Sequence, residues 1–453
     1  MTSTVFPVQP AAETPTPLRT DLRKVTFAWL FGSVFFATLG SVVMVRFANL
    51  LELGNFGFAV LAALPHIATL LSLPSSVLID RTGLVKLIFM VAIYSQRLAF
   101  LLMAVLPVVL ITGGYASPAT VGLWVVLPLM AVIHLATALG IPSWVSWMAD
   151  LVPSRVNGRF FARRSQWGIV SAAPVTLLAG FAMEYFAPAE STPQRLLYVC
   201  SAVLFVVAFF GLADVFLYQR IRYRPAKPAT QAKPLLAPLI APLRSNRFMV
   251  FTLAAAVVTL ATAPMGLFTQ KFLIDRVDAG TSAVQIMLTV VPMVAQFLVY
   301  PFVGRWADRF GITPLVIVGA IGMVPAGAGW LLVGHSTLWI GYPLAAVGSV
   351  VATALEIANL KLLLEFSGSK SDDGGSASGF TAINHVIVSI GGIVGSFGAG
   401  YLLNLLSGRS VQIAPGLSLG DYDVLFLLSV ILRLLAMGVV LILLRARNTS
   451  ARI

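Results

Sequence analysis

The chain has 453 residues, of which 58% are hydrophobic and only 10% charged, with a net charge of +13. A mean hydropathy of +0.92 excludes a soluble globular domain, in which roughly a quarter of the residues are charged. The apolar residues come in continuous blocks of about twenty or more, which suits helices crossing a hydrocarbon core and excludes a transmembrane barrel, whose strands alternate.

Residues 1–24 are polar and rich in Pro and Thr, without the charged start, apolar core and small-residue cleavage site of a signal peptide. The first apolar block is therefore expected to act as the insertion signal. Helices are predicted over 25–50, 56–79, 85–109, 119–148, 158–187 and 195–218, and again over 247–273, 282–304, 313–334, 337–366, 377–406 and 422–446. Twelve helices put both termini on one side. Most basic residues fall on that side, among them Arg19, Arg23, Lys24, Arg81, Lys86, Arg159, Arg163, Arg164, Arg305, Arg309 and Arg445. The other side holds Arg195, Lys271, Arg276 and Arg409. By the positive-inside rule both termini are expected in the cytoplasm, and the basic excess then records orientation rather than affinity for nucleic acid.

The longest polar connection, "QRIRYRPAKPATQAKPLLAPLIAPLRSNR", contains five prolines, which preclude a stable helix along its whole length. It divides the chain into a tail over 1–24, a six-helix bundle over 25–218, a cytoplasmic linker over 219–246, a second bundle over 247–446 and a tail over 447–453. The halves echo one another. Pro65 and Pro74 precede Asp80 as Pro292 and Pro301 precede Asp308, and "GRFFARRS" (158–165) aligns with "SGFTAINH" (378–385). Repeats of this kind are common in transporters.

The turn "GRWADRFG" (304–311) and its fainter copy "SVLIDRTG" (76–83) carry charge between apolar runs. A glycine lets such a turn reverse at backbone angles other residues avoid. An aspartate there can sit at a neighbouring helix N-terminus, and an arginine can pair with a carboxylate. With twelve helices and a central linker, these turns make the chain after residue 24 resemble the major facilitator superfamily, whose signature is G-x-x-x-D-R-x-G. Gly304, Asp308, Arg309 and Gly311 match it in the second half; Asp80, Arg81 and Gly83 match in the first, where Ser76 replaces the first glycine. The resemblance implies an all-α membrane protein of two pseudo-symmetric six-helix bundles. It also implies a cytoplasmic gate in which these residues, with Asp150 and Arg159, latch the outward-facing state. Two departures weigh against a drug–proton antiporter: helix four has no buried arginine, and helix five has Pro174 without the glycine–proline–glycine pattern.

The same resemblance implies that helices one, four, seven and ten wall a central cavity. Ionisable residues at mid-membrane are costly and normally face protein or water. On helix ten Glu356 has Asn359 on the same face; it is a candidate for reversible proton binding or, alternatively, for a structural ion pair with Arg433 of helix twelve. His134 on helix four is a candidate for substrate or proton handling, against a packing role. Arg46 on helix one either greets an anionic group, pairs with Glu52 or snorkels to the interface. Arg97 belongs to an outer helix and is expected to be structural, and Lys361 is expected to pair with Glu365. Pro264 and Gly266 in "TAPMGLFTQK" predict a bend in helix seven at the extracellular gate, with Gln270 beside it as a candidate for substrate contact.

The lone Cys200 rules out an intrachain disulfide. Neither a phosphate-binding G-x-x-x-x-G-K-[ST] loop nor an H-E-x-x-H motif occurs, so neither a cofactor nor a metal is expected, and the chain is not read as an enzyme. The reading is a secondary active transporter, a monomer of the bacterial inner membrane, moving a small organic solute by alternating access in symport with protons. Membrane lipid is a further expected partner, and nucleic acid is not. The alternatives are an exporter of an amphiphile or lipid, and a non-transporting receptor or assembly factor on the same scaffold.

Overall fold

In the computed structural model, residues 16–152, 157–188, 190–223, 242–368, 377–407, 409, 411–414 and 417–450 are described. Among them, twelve helices are long and apolar enough to cross a membrane: Leu18–Leu39, Gly54–Ile79, Val85–Thr112, Pro118–Met148, Arg163–Phe186, Pro193–Gln219, Asn246–Asp275, Thr281–Val303, Thr313–Leu332, Leu338–Leu363, Phe380–Leu406 and Asp421–Ile442. We refer to them as helices one to twelve. We call the end of the array that carries the start of helix one and the end of helix six the terminal end, and the end that carries the turns at 51–53, 113–117 and 276–280 the far end.

Helix boundaries follow the hydropathy blocks closely, but helix two is interrupted at Leu70–Leu71, helix twelve runs on to Ser450 through much of the segment read as a tail, and three further departures stand out. Helix one begins at Thr16, inside the segment read as a tail. Asp21 pairs with Lys24 at 3.5 Å, and Lys24 also donates to the carbonyl of Arg220 at 3.2 Å, fastening this first turn to the end of helix six. Helix one is also broken: it stops at Leu39 and resumes as Val42–Leu50. Finally, the connection between helices eleven and twelve contains a two-stranded antiparallel hairpin, Val411–Ala414 with Leu417–Leu419, a small addition to an otherwise all-α chain.

Two local irregularities have a common cause. A wide π-turn spans Gly122–Val126 in helix four and Ile286–Val290 in helix eight, each just before a proline, Pro128 and Pro292. A proline ring clashes with the carbonyl four residues earlier, and the widened turn moves that carbonyl aside.

Helix one packs on helices five and six, and helix three on helices four and six. In the second half, helix seven packs on eleven and twelve, and helix nine on ten and twelve. Helices two and eleven, and five and eight, join the two groups. The repeat extends to backbone detail: "LELG" (51–54) and "VDAG" (277–280) occupy equivalent far-end turns, with Glu52 at φ 50° and Asp278 at φ 54°. Phe35, Phe47 and Phe100 from the first group share one buried cluster with Phe268, Phe272 and Met287 from the second, and Cys200 is buried within it.

Candidate functional site

At the far end the groups are fastened through the helix-one break. Interrupting the helix frees a carbonyl at Gly40 and an N–H at Val42. Gln270 of helix seven donates through Nε2 to the Gly40 carbonyl at 2.9 Å, and Oε1 of the fully buried Gln285 accepts from the Val42 N–H at 3.3 Å. Buried backbone groups need such partners. Below the break, Arg46 donates to the Ala279 carbonyl at 3.2 Å and Asn49 to Asp275 at 2.8 Å. Lys271 pairs with Asp275, donates to Asn49 at 3.3 Å and lies over the Phe58 ring. Ser282 donates to Glu184 of helix five. Helix seven does break where Pro264 and Gly266 stand, through a 3-10 turn over Ala263–Met265.

Arg46 and Gln270, expected at a substrate site, are therefore parts of this far-end clasp. Arg46 bonds across to the second group instead of to Glu52, which is exposed. Gln285 was not singled out from the sequence: an amide near a helix start carries no signal until the break it satisfies is known.

Helix ten presents Val351 and Leu355 to glycines of helix nine, and Ala354 and Ala358 pack against Leu315 and Ala320 of the same helix. Helical periodicity places Glu356 on the opposite side, turned away from that outer support, and it is exposed. Tyr300 of helix eight lies close to its carboxylate. One turn from Tyr300 lies the half-buried Gln296, and one turn from Glu356 lies Asn359, whose buried Oδ1 has no hydrogen-bond partner among the described residues. Glu356 and Asn359 were legible as a helical i,i+3 pair; Tyr300 was not. His134 lies on helix four and is half-buried; its neighbours Ile133 and Thr137 meet Gln96 of helix three.

The expected ion pair of Glu356 with Arg433 does not form. Arg433 reaches from helix twelve to helix nine, donating to the Met323 carbonyl at 2.7 Å and to Met265 Sδ at 3.3 Å, on the side that Glu356 faces away from. Arg97 has the structural role expected of it. It is fully buried, pairs with Asp214 of helix six at 2.8 Å and stacks on Phe35 at 3.6 Å from the ring centroid. Arg164 is also buried, its guanidinium 3.9 Å from Trp29 and 4.5 Å from Trp144. Lys361 has interactions of its own; the side chain of Glu365 lies outside the described residues.

At the terminal end, Gly83 closes helix two at φ 64°, its N–H donating to the Ile79 carbonyl at 2.9 Å. Gly311 closes helix eight at φ 76°. Arg81 and Arg309 are exposed. The side chains of Asp80, Asp150, Arg159 and Asp308, like Gly304, lie outside the described residues, so the expected latch is not described. The hydrogen bonds between the two groups given above all lie at the far end.

No family model matches the chain. It is similar to the "Multidrug resistance protein MdtH" of Shigella flexneri, 24% identical over 279 residues, which is 60% of this chain and 62% of that protein. It is 25% identical to MdtH of Escherichia coli O157:H7 over 271 residues, 58% and 60% of the two chains. The match thus spans about three fifths of these relatives. Among solved structures, the nucleoside transporter NupG aligns with a TM-score of 0.68 at 11% identity, covering 95% of this chain and 99% of that one. A bacterial homolog of the human lysosomal transporter Spinster, inward-facing and occupied, aligns at 0.64 and 16% identity, covering 95% and 98%. The major facilitator superfamily transporter FucP, in its outward conformation, aligns at 0.59 and 12% identity, covering 95% and 99%. At these identities the likeness is one of architecture, and with twelve apolar helices behind it the conclusion is plain: this is a multi-pass membrane protein with the fold of the major facilitator superfamily.

Proposed function

We propose that the protein is a proton-coupled secondary active transporter that moves a small organic solute by alternating access, with Glu356 binding the coupling proton. The observation that carries this reading is the position of Glu356: an exposed carboxylate within the helix-ten span, turned from helix nine and close to Tyr300 of helix eight. An intramembrane carboxylate without a cation partner is costly unless it has a function. Carboxylates in general bind protons more or less readily as hydration and neighbouring charge change, and an opening and closing cleft changes both. The two six-helix groups, 25–218 and 247–446, rock about this level. The far-end clasp of Gln270, Gln285 and Arg46 holds one state, and the terminal-end turns with Asp80, Arg81, Asp150, Arg159, Asp308 and Arg309 latch the other. The excess of basic residues toward the terminal end supports a cytoplasmic position for it in a bacterial inner membrane. The unit of function is a monomer.

Solid-supported-membrane currents on reconstituted protein test this, under an imposed pH gradient, with sugars, carboxylates and amphiphiles as solutes and Glu356→Gln as control. A solute-dependent current lost in the variant supports the reading; a current that survives removes Glu356 from coupling. A second reading, export of an amphiphile, is favoured by the similarity to MdtH over about three fifths of each chain. Inverted vesicles separate it from uptake by the direction of flux.

A further inference from the structure

Resting on the transport reading, we infer that the solute is an organic cation, specifically a protonated amine, held by Glu356, Tyr300 and Asn359. The argument is an inventory of donors and acceptors. Glu356 offers exposed carboxylate oxygens with the Tyr300 hydroxyl close by. Asn359, one turn along the same helix, holds its Oδ1 buried with no donor among the described residues. Carboxylate and amide oxygens accept hydrogen bonds, so two acceptors one helical turn apart call for a ligand rich in N–H donors. A charge-assisted bond from an ammonium to a carboxylate is about twice as strong as a neutral one.

The membrane-embedded bases supply the converse. Arg97 is paired with Asp214 and Lys271 with Asp275. Arg46 is bonded to the Ala279 carbonyl, Arg433 to the Met323 carbonyl, and Arg164 lies between two indoles. None of the contacts described for these bases reaches Glu356, and Lys361 of helix ten has interactions of its own. An anion placed beside Glu356 would meet repulsion from the carboxylate with none of these bases to offset it.

Calorimetric titration of the full chain in nanodiscs tests the inference with three solutes of one skeleton: phenethylamine, 2-phenylethanol and 3-phenylpropionate. Phenethylamine is expected to bind at least tenfold more tightly than either of the others. Glu356→Gln should erase that preference, Glu356→Asp should keep most of it, and Asn359→Leu should reduce it severalfold. Thermal unfolding of each variant establishes that it is folded before it is titrated. Equal or tighter binding of 3-phenylpropionate overturns the inference, as does an amine preference that survives in Glu356→Gln, or no phenethylamine binding up to millimolar concentration. Flux of the same three solutes into proteoliposomes keeps the two claims apart. Flux of the alcohol or the acid alone preserves transport and sinks the cation; amine binding without flux of any solute preserves the site and sinks transport.

Discussion

Gln270 spans from helix seven to the carbonyl of Gly40 at the break in helix one, Nε2 to O at 2.9 Å. The carbonyl has lost its own helical donor, so the side chain of one six-helix group completes the backbone of the other. Gln285 does the same for the Val42 N–H. Separation of the groups at this end exposes both backbone positions.

Removal of either amide should loosen the far end. A net protein hydrogen bond is worth about 1 kcal/mol, so Gln270→Ala should raise amide hydrogen exchange in residues 38–46 roughly fivefold. Gln285→Ala should do more, since it also empties a buried position. Exchange by mass spectrometry reads this directly, and protection unchanged in both variants would show that the clasp holds nothing.

The pair Arg97–Asp214 is fully buried. Removing one partner leaves the other charged in an apolar core, at a cost of about 3–5 kcal/mol. Arg97→Met and Asp214→Leu should each lower the thermal unfolding midpoint sharply, and the double variant should recover most of the loss. Additive losses would show that the two charges do not interact.

Arg164 should tolerate lysine poorly. Its guanidinium is stacked between Trp29 and Trp144, a planar arrangement an ammonium cannot reproduce. A desolvated contact of this type is worth about 2 kcal/mol. Arg164→Lys is expected to lose part of that and Arg164→Gln all of it, measured as thermal stability in detergent; equal stability of the three proteins would contradict the assignment.

The glycines that close helices two and eight are not equivalent. Gly83 sits at φ 64°, ψ 5°, close to a left-handed region that asparagine also visits. Gly311 sits at φ 76°, ψ −173°, a region essentially restricted to glycine. Gly83→Asn should therefore be nearly neutral, whereas Gly311→Asn should cost about 1–3 kcal/mol. Thermal melts of the two variants side by side decide it.

Under the transport reading, Tyr300→Phe removes the hydroxyl that lies beside Glu356. Loss of one polar neighbour is worth about 1 kcal/mol, so proton-driven flux should fall roughly fivefold while the amount of folded protein stays constant. Wild-type flux in this variant would make the hydroxyl a bystander.

Most of the fold was legible because the membrane imposes it: an apolar run of the right length has few alternatives to a spanning helix. The helix-seven bend was legible because Pro264 removes a hydrogen bond that nothing else can restore. Its counterpart at Gly40 was not, because "TLGSV" holds no proline and an isolated glycine is tolerated within a helix. That omission propagated. Without the break, Gln270 reads as a substrate ligand, Gln285 reads as nothing, and Arg46 is left to an anionic solute group, its neighbour Glu52 or the interface. Asp214 was missed for a related reason: its meaning lies in Arg97, more than a hundred residues away. Glu356 and Asn359 were readable as a pair because both stand on one helix. Arg433 was assigned to Glu356 on shared depth alone, and depth says nothing about which way a helix turns its face.

Cys200, the lone cysteine of the chain, is buried within the cluster shared by the two groups. A thiol enclosed in that way is shielded from aqueous maleimides in the folded protein, so the natural sequence already serves as a silent background for labelling. A single cysteine introduced at Arg81 or Arg309 would report the accessibility of the terminal end without any native residue being replaced first.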